Sequence, residues 1–570
     1  MTSTIQRLLS RLDDARRTYG PHEAKRVERL LGRLRSVRLP DIESLLRWHD
    51  ALLFLRAFPQ SRNVARIADD LLATTSARVA KLKERGADLS LLDDESVSGI
   101  AGSEIVENWE FPIAAWLARK YPDNVSIYWE GKLNTARLAN TLPRVVPLLD
   151  EDATVEPDVP WREWIDSARG EQNEVKWLVD CFSTLDLPDR LKSELFESLE
   201  LPIRLDLQEL PATRTHARRP TRDLYLHDAP LLQRKDVSLD RELSSPLNLR
   251  RLSAADSAEI IDMARAALTV RYRGLYGMTY PALPVYEAAP GRGLQIFLWG
   301  VPPARRLPLR SYACGITLKN GVPINYMEAI ALFDWVEIGF NTYYAFREGE
   351  TAWVYAQVLR ALRPLLGMNV VSVYPYQIGF ENEEAIKSGA FWFYRKLGFR
   401  PGRPDLAALC EAEEKKIAAD RSHRTSARNL RRLAEGHIFY ELPGTLIGRW
   451  DRFRTRYLGL AVNRNVGADF AGDTARYRRA ASAFLAKSLG VPLDEFHDCE
   501  RDAFESFAVA LHLAPEISRW SAADKAALVR IIRAKAAAEE WDYLRLLREH
   551  SSLRDILLRL GSREIEKAGR

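Results

Sequence analysis

The chain has 570 residues, 46% of them apolar and 28% charged, which is the composition of a soluble globular protein and too long for one hydrophobic core. Its formal net charge of +5 is small for that size, so charge alone does not imply a nucleic-acid partner. Cys181, Cys314, Cys410 and Cys499 lie far apart with no C-x-x-C pair, which removes the usual sign of a zinc or redox dithiol site and fits a reducing compartment.

The opening MTSTIQRLLSRLDDARR lacks the continuous apolar stretch of a signal peptide, and Asp13 and Asp14 argue against a transit peptide. No run approaches the roughly 20 apolar residues that cross a bilayer. The expected location is the cytoplasm, with no membrane partner.

From residue 1 to 207, apolar residues recur every three and four positions, predicting a helical domain. In DIESLLRWHDALLFLRAFP, Asp41 can cap, the centre is apolar and Pro59 stops the helix. Residues 208–246 are rich in proline and charge and read as an extended linker.

After Leu247 the period changes. NLRRLS reads as a strand and AADSAEIIDMARAAL as a capped helix; GLQIFLWGV and SYACGITLKNGVPINYMEAIALF then read as strands, with a hairpin turn at Lys319-Asn320-Gly321. WVEIGFNTYYAF is a further strand, leading through REGE into the helix TAWVYAQVLRALRPLLG. NVVSVYPYQI reads as a strand, EAIKSGAFWFYRKLG as a helix, and FRP closes the unit near residue 403. Residues 404–570 return to helical periodicity. The expected fold class is therefore multidomain α+β: a helical domain, a mixed α/β domain over 247–403, and a second helical domain.

Serine-hydrolase, P-loop, Rossmann and zincin motifs (G-x-S-x-G, the Walker loop, G-x-G-x-x-G, H-E-x-x-H) are all missing, and no metal site is expected. The distinctive stretch is NEEAIKSGAFWFYRKLGFRP, from Asn382 to Pro401. Its Asn382-Glu383-Glu384-Ala385 and Phe393-Tyr394-Arg395-Lys396-Leu397-Gly398-Phe399, with the element order of 247–403, resemble the GNAT superfamily of acyl-CoA N-acyltransferases. The resemblance covers about a quarter of the chain. It implies an acetyl-CoA or other acyl-CoA co-substrate, an amine acceptor that the sequence does not identify, and direct transfer without a covalent enzyme intermediate. Asn382 would contact the cofactor arm and Tyr394 would protonate the departing thiolate. The family's pyrophosphate loop falls on Phe346-Arg347-Glu348-Gly349-Glu350-Thr351, followed by Ala352, with Phe346 and Thr351 replacing the family's polar and small residues.

The residues also permit plainer roles. A strand entering a helix start offers free N–H groups to a phosphate, and a glycine admits close approach, but Glu348 and Glu350 bring negative charge and serve equally as caps. Tyr394, in a run of aromatics, fits a core with its hydroxyl at the surface. Residues 247–403 contain no histidine, so a carboxylate or water must act as base; Glu337 is placed first, with Asp334 and Glu328 behind it. Arg421, Arg424, Arg428, Arg431 and Arg432 would share a face if helical, a stripe able to meet nucleic-acid phosphates or to lie solvated. A non-catalytic scaffold is the competing expectation to a transferase.

Overall fold

A computed structural model describes residues 4–20, 22–146, 160–221 and 223–562. Residues 1–3, 21, 147–159, 222 and 563–570, assigned above to the helical flanks and the linker, lie outside the described residues. The fold is mixed α+β, with two sheets among the described residues.

The smaller sheet belongs to the N-terminal region. Strand β3 (Ile203–Asp206) lies between β1 (Glu104–Glu107) and β2 (Val125–Ile127), antiparallel to both. The expectation of a purely helical 1–207 is corrected here. Strands this short are too brief to set their own periodicity between helices.

The larger sheet has nine strands: β4 (Arg250–Arg251), β5 (Tyr286–Gly291), β6 (Leu294–Trp299), β7 (Ser311–Lys319), β8 (Val322–Leu332), β9 (Trp335–Thr342), β10 (Val370–Val373), β11 (Arg400–Pro401) and β12 (Ile438–Glu441). Their spatial order is β11-β12-β10-β9-β8-β7-β6-β5-β4. The β7–β8 hairpin turns at Asn320 and Gly321, both at positive φ (49° and 80°), as a two-residue turn of this hand requires.

Strand β7 is buried along its whole length because both faces are covered. Alternate side chains divide between two cores. Tyr312, Cys314, Ile316 and Leu318 pack with Ile260, Ala264 and Leu268 of the Ala254–Thr269 helix. Ala313, with Ala329, Val336 and Ile338, joins Val354, Val358 and Leu362 of the Thr351–Leu366 helix on the other face.

Two domain boundaries move. Strand β12 lies beyond residue 404 yet pairs antiparallel with β10, from Val370↔Glu441 to Val373↔Ile438, so the sheet continues past the expected end of the mixed region. Residues 208–246 are no free linker: Thr213, Arg214, Thr215, His227, Leu231, Leu239 and Leu243 are buried, and Arg219 N–H donates to the Gly321 carbonyl at 2.8 Å. A single apolar core joins the N-terminal Leu45, Trp48 and Leu52, the sheet, and the C-terminal Leu544 and Leu547. No helix among the described residues is long and apolar enough to cross a membrane.

Candidate functional site

Strands β9 and β10 run parallel in register from Trp335↔Val370 to Ile338↔Val373. There the pairing ends. Tyr374 is extended and Pro375, which has no N–H for a ladder, starts the short Pro375–Ile378 helix. Strand β9 continues to Thr342 without a β10 partner. The gap opens into a cleft of about 250 Å³ lined by Phe340, Thr342, Arg347, Thr351, Asn382 and Tyr394.

The Thr351–Leu366 helix begins at this cleft. Among the described residues no backbone acceptor meets the N–H groups of Thr351, Ala352 and Trp353, as expected for a helix start. Both acids of the loop turn elsewhere. Glu348 pairs with Arg16 (3.2 Å) and Arg17 (2.9 Å) of the N-terminal region. Glu350 is buried between Lys319, at 3.1 Å, and Arg292. Burial pushes the Glu350 carboxyl up, but those cations outweigh it and hold it below the usual range.

The predicted loop residues separate accordingly. Arg347 and Thr351 line the cleft, whereas Phe346, Gly349 and Ala352 do not. Phe346 and Ala352 are core residues. Gly349 lets Phe58 approach: a Cβ there would lie 2.6 Å from the Phe58 ring. That glycine answers to packing by the N-terminal Ile42–Ala57 helix, and a bulky substituent there would report on stability rather than on ligand binding. Arg347 is held at 2.5 Å from Glu384 and over the Tyr344 ring.

The aromatic stretch forms two short helices, Glu383–Ser388 and Ala390–Arg395, split by Gly389 at φ +67°. Asn382 caps the first, accepting from Ala385 N–H at 3.1 Å and donating to the Tyr376 carbonyl at 3.1 Å. Phe391 and Tyr394 face inward, while Trp392 and Phe393 are half-buried. Tyr394 meets Tyr355 and Phe399 edge-on at 5.5 and 5.6 Å, and its hydroxyl has no hydrogen-bond partner among the described residues. Burial pushes this phenol upward, so it is a protonated donor at neutral pH.

Glu337 is not in the cleft lining. It lies opposite Ser372 in the zipped part of the pair, bonded to His437 at 2.8 Å and near Arg310 at 3.5 Å. Burial raises its carboxyl, but the His437 bond and the Arg310 charge hold it below the usual range. His437, itself lowered by burial, comes from the segment before β12, outside the span expected to build the site.

Glu328 is not in the cleft lining either, but it lies beside the gap rather than in the zipped part of the pair. It faces Gly339, the first β9 residue past the zipped register, and a Cβ on Gly339 would sit 3.3 Å from the Glu328 Cγ. Tyr312 donates to it at 3.0 Å. Burial pushes Glu328 up, against that hydrogen bond, and the Glu337 charge adds to the rise. The sequence placed Glu328 behind Glu337 because strand alternation reveals which face a residue occupies, not where a neighbouring strand ends. Asp334 accepts from Trp450 at 3.2 Å in the core. Arg273 also lines the cleft, paired with Glu95, and nothing in its sequence context singled it out.

The arginine stripe does not form. The helix spans only Ala427–Leu433, so Arg421 and Arg424 precede it outside any helix, and Arg431 makes two hydrogen bonds to Glu383 at 2.8 and 2.9 Å. Among the described residues no group of three His, Cys, Asp or Glu side chains could hold a metal ion. No family model matches the chain, and neither a curated protein nor a solved structure matches it.

Proposed function

We propose that the protein is an acyl-CoA-dependent N-acyltransferase with a GNAT-like central sheet, taking acetyl or another acyl group to an amine. The observation that carries this reading is the divergence of β9 from β10 beyond Ile338↔Val373, with a helix start and a free phenol on the same cleft. The crossover from β9 through the Thr351–Leu366 helix to parallel β10, and the insertion of β12 between β10 and β11, support it further.

In this mechanism the free N–H group of Thr351 at the helix start receives the diphosphate, with the Thr351 and Arg347 side chains beside it. The thioester lies in the gap past Gly339, where unpaired β9 backbone N–H groups polarise its carbonyl. The amine nitrogen attacks the carbonyl carbon and the C–S bond breaks. Glu328, directly or through a water, takes the proton lost from nitrogen. Tyr394 gives its proton to the leaving sulfur, which departs as the thiol; the phenolate then regains a proton from solvent, and Glu328 releases to solvent the one it took from nitrogen.

Calorimetric titration of the full chain with acetyl-CoA tests the reading. Saturable binding is expected, retained in Tyr394→Phe while turnover of the amine falls. No binding by the parent protein removes the transferase proposal. One observation favours a scaffold instead: Arg347, the loop cation at the cleft, is already paired with Glu384. The same titration decides between the two.

A further inference from the structure

A second, smaller cavity adjoins the cleft and shares Arg273, Asn341 and Thr342 with it. At about 20 Å³ it holds one water-sized group. Three separate parts of the chain meet there: Arg214 from the segment before the central sheet, Arg271 from just after the Ala254–Thr269 helix, and Tyr343 from just after β9. Arg214 and Arg271 are only 5% and 6% exposed. Neither forms an ion pair within 4.0 Å among the described residues. Arg214 donates once, to the Ser96 carbonyl at 2.9 Å, and Arg271 once, to the Ala267 carbonyl at 2.6 Å. The Arg214 Nε and Nη2, the Arg271 Nε, the Tyr343 hydroxyl and the Thr342 Oγ1 are buried without a partner.

Such a group of orphaned donors is costly. An unmet buried donor costs roughly 1–3 kcal/mol, more when charged. Burial and the neighbouring Arg271 charge push Arg214 down to about 9, so its guanidinium stays charged at neutral pH; burial lowers Arg271 as well. The acids nearby do not relieve them: Asp50 and Asp94 act only at longer range, and Glu95 on the cavity wall is engaged by Arg273. Arg271 gains a partial partner in the Tyr343 ring, 3.9 Å below its guanidinium. A water would meet two donors but bring no charge. A carboxylate oxygen does both.

We propose that this cavity is an anion subsite, receiving one oxygen of a carboxylate whose parent ligand lies in the adjoining cleft, and that the amine acceptor is therefore an amino-carboxylate. The acceptor assignment rests on the transferase reading; the anion subsite does not.

Formate is the probe. The full-length protein is titrated with sodium formate at fixed ionic strength, with HEPES as balancing anion so that the response reports the carboxylate over a sulfonate, and its thermal melting is followed. A saturable rise in melting temperature is expected for the parent, with formate binding weakened about tenfold or more in Arg271→Met and in Arg214→Met. Removing one of two adjacent buried like charges should leave the formate-free melting temperature of Arg214→Met unchanged or higher, so that variant reports even if Arg271→Met does not fold. No response in the parent means buried waters only, and an undiminished response in Arg214→Met means that formate binds elsewhere; either overturns the subsite. Acetyl-CoA titration of the same samples separates the two readings: formate response without acetyl-CoA binding removes the transferase and leaves the subsite. For the acceptor, amino acids should turn over at least about tenfold faster than their amides. Equal turnover, or none of either, removes that assignment.

Discussion

Glu328 and Glu337 stand on adjacent strands and on one face of the sheet, yet their surroundings move them in opposite directions. Glu337 is bonded to His437, which makes it a strut. Glu328 opposes the residue where β10 stops, and burial keeps its carboxyl above the ordinary range, which suits a base. Glu328→Gln is expected to lower amine turnover about 10²–10⁴-fold while acetyl-CoA binding stays intact. In the parent the acid limb of the rate profile should lie above the ordinary carboxylate value of about 4.3. Turnover that survives Glu328→Gln but is lost in Glu337→Gln would restore the original assignment.

At the scale of elements, the start of the Thr351–Leu366 helix is fixed by a charge network beneath it rather than by a side-chain cap. Glu350 accepts from Leu232 N–H at 3.2 Å and from Lys319 at 3.1 Å, and also binds Arg292. Lys319 is fully buried, and burial pulls it down to about 8, with Glu350 limiting the fall. Removing the carboxylate leaves Lys319 charged in the interior without its acid, while the part-exposed Arg292 loses its partner. Glu350→Gln should therefore destabilise the protein by about 3–5 kcal/mol in urea denaturation. A loss below about 1 kcal/mol would show that the network is solvated and the helix start loosely held.

At the scale of the molecule, the flanking regions are walls of the central sheet rather than appendages. Phe58 packs on Gly349, Arg16 and Arg17 hold Glu348, and Trp450 stacks on Trp335 at 5.2 Å. Four histidines, His49, His227, His437 and His550, are sealed in, and burial lowers each of them, His227 to about 3. The sign follows directly. Unfolded, each takes a proton near 6.5; folded, each resists it, so stability is lost as pH falls below about 6.5 and continues to be lost toward the lower folded values. Calorimetric melting between pH 7.5 and 5.5 should show a falling midpoint, and a flat profile would mean that these sites open freely to water.

The sequence by itself determined the central strands from β6 to β9, the hairpin at Asn320 and Gly321, and the helix after REGE, because alternation, turn chemistry and helical period are local properties of the chain. It also drew notice to Tyr394 and Asn382, which share the cleft. Only the tertiary structure decided where β10 ends against β9, which way Glu348 and Glu350 turn, that Gly349 serves Phe58, and that Arg214, Arg271 and Tyr343 enclose one cavity. Those outcomes depend on partners up to hundreds of residues away, which no local pattern encodes. A chemical role requires several side chains to converge, and convergence is a property of the folded chain.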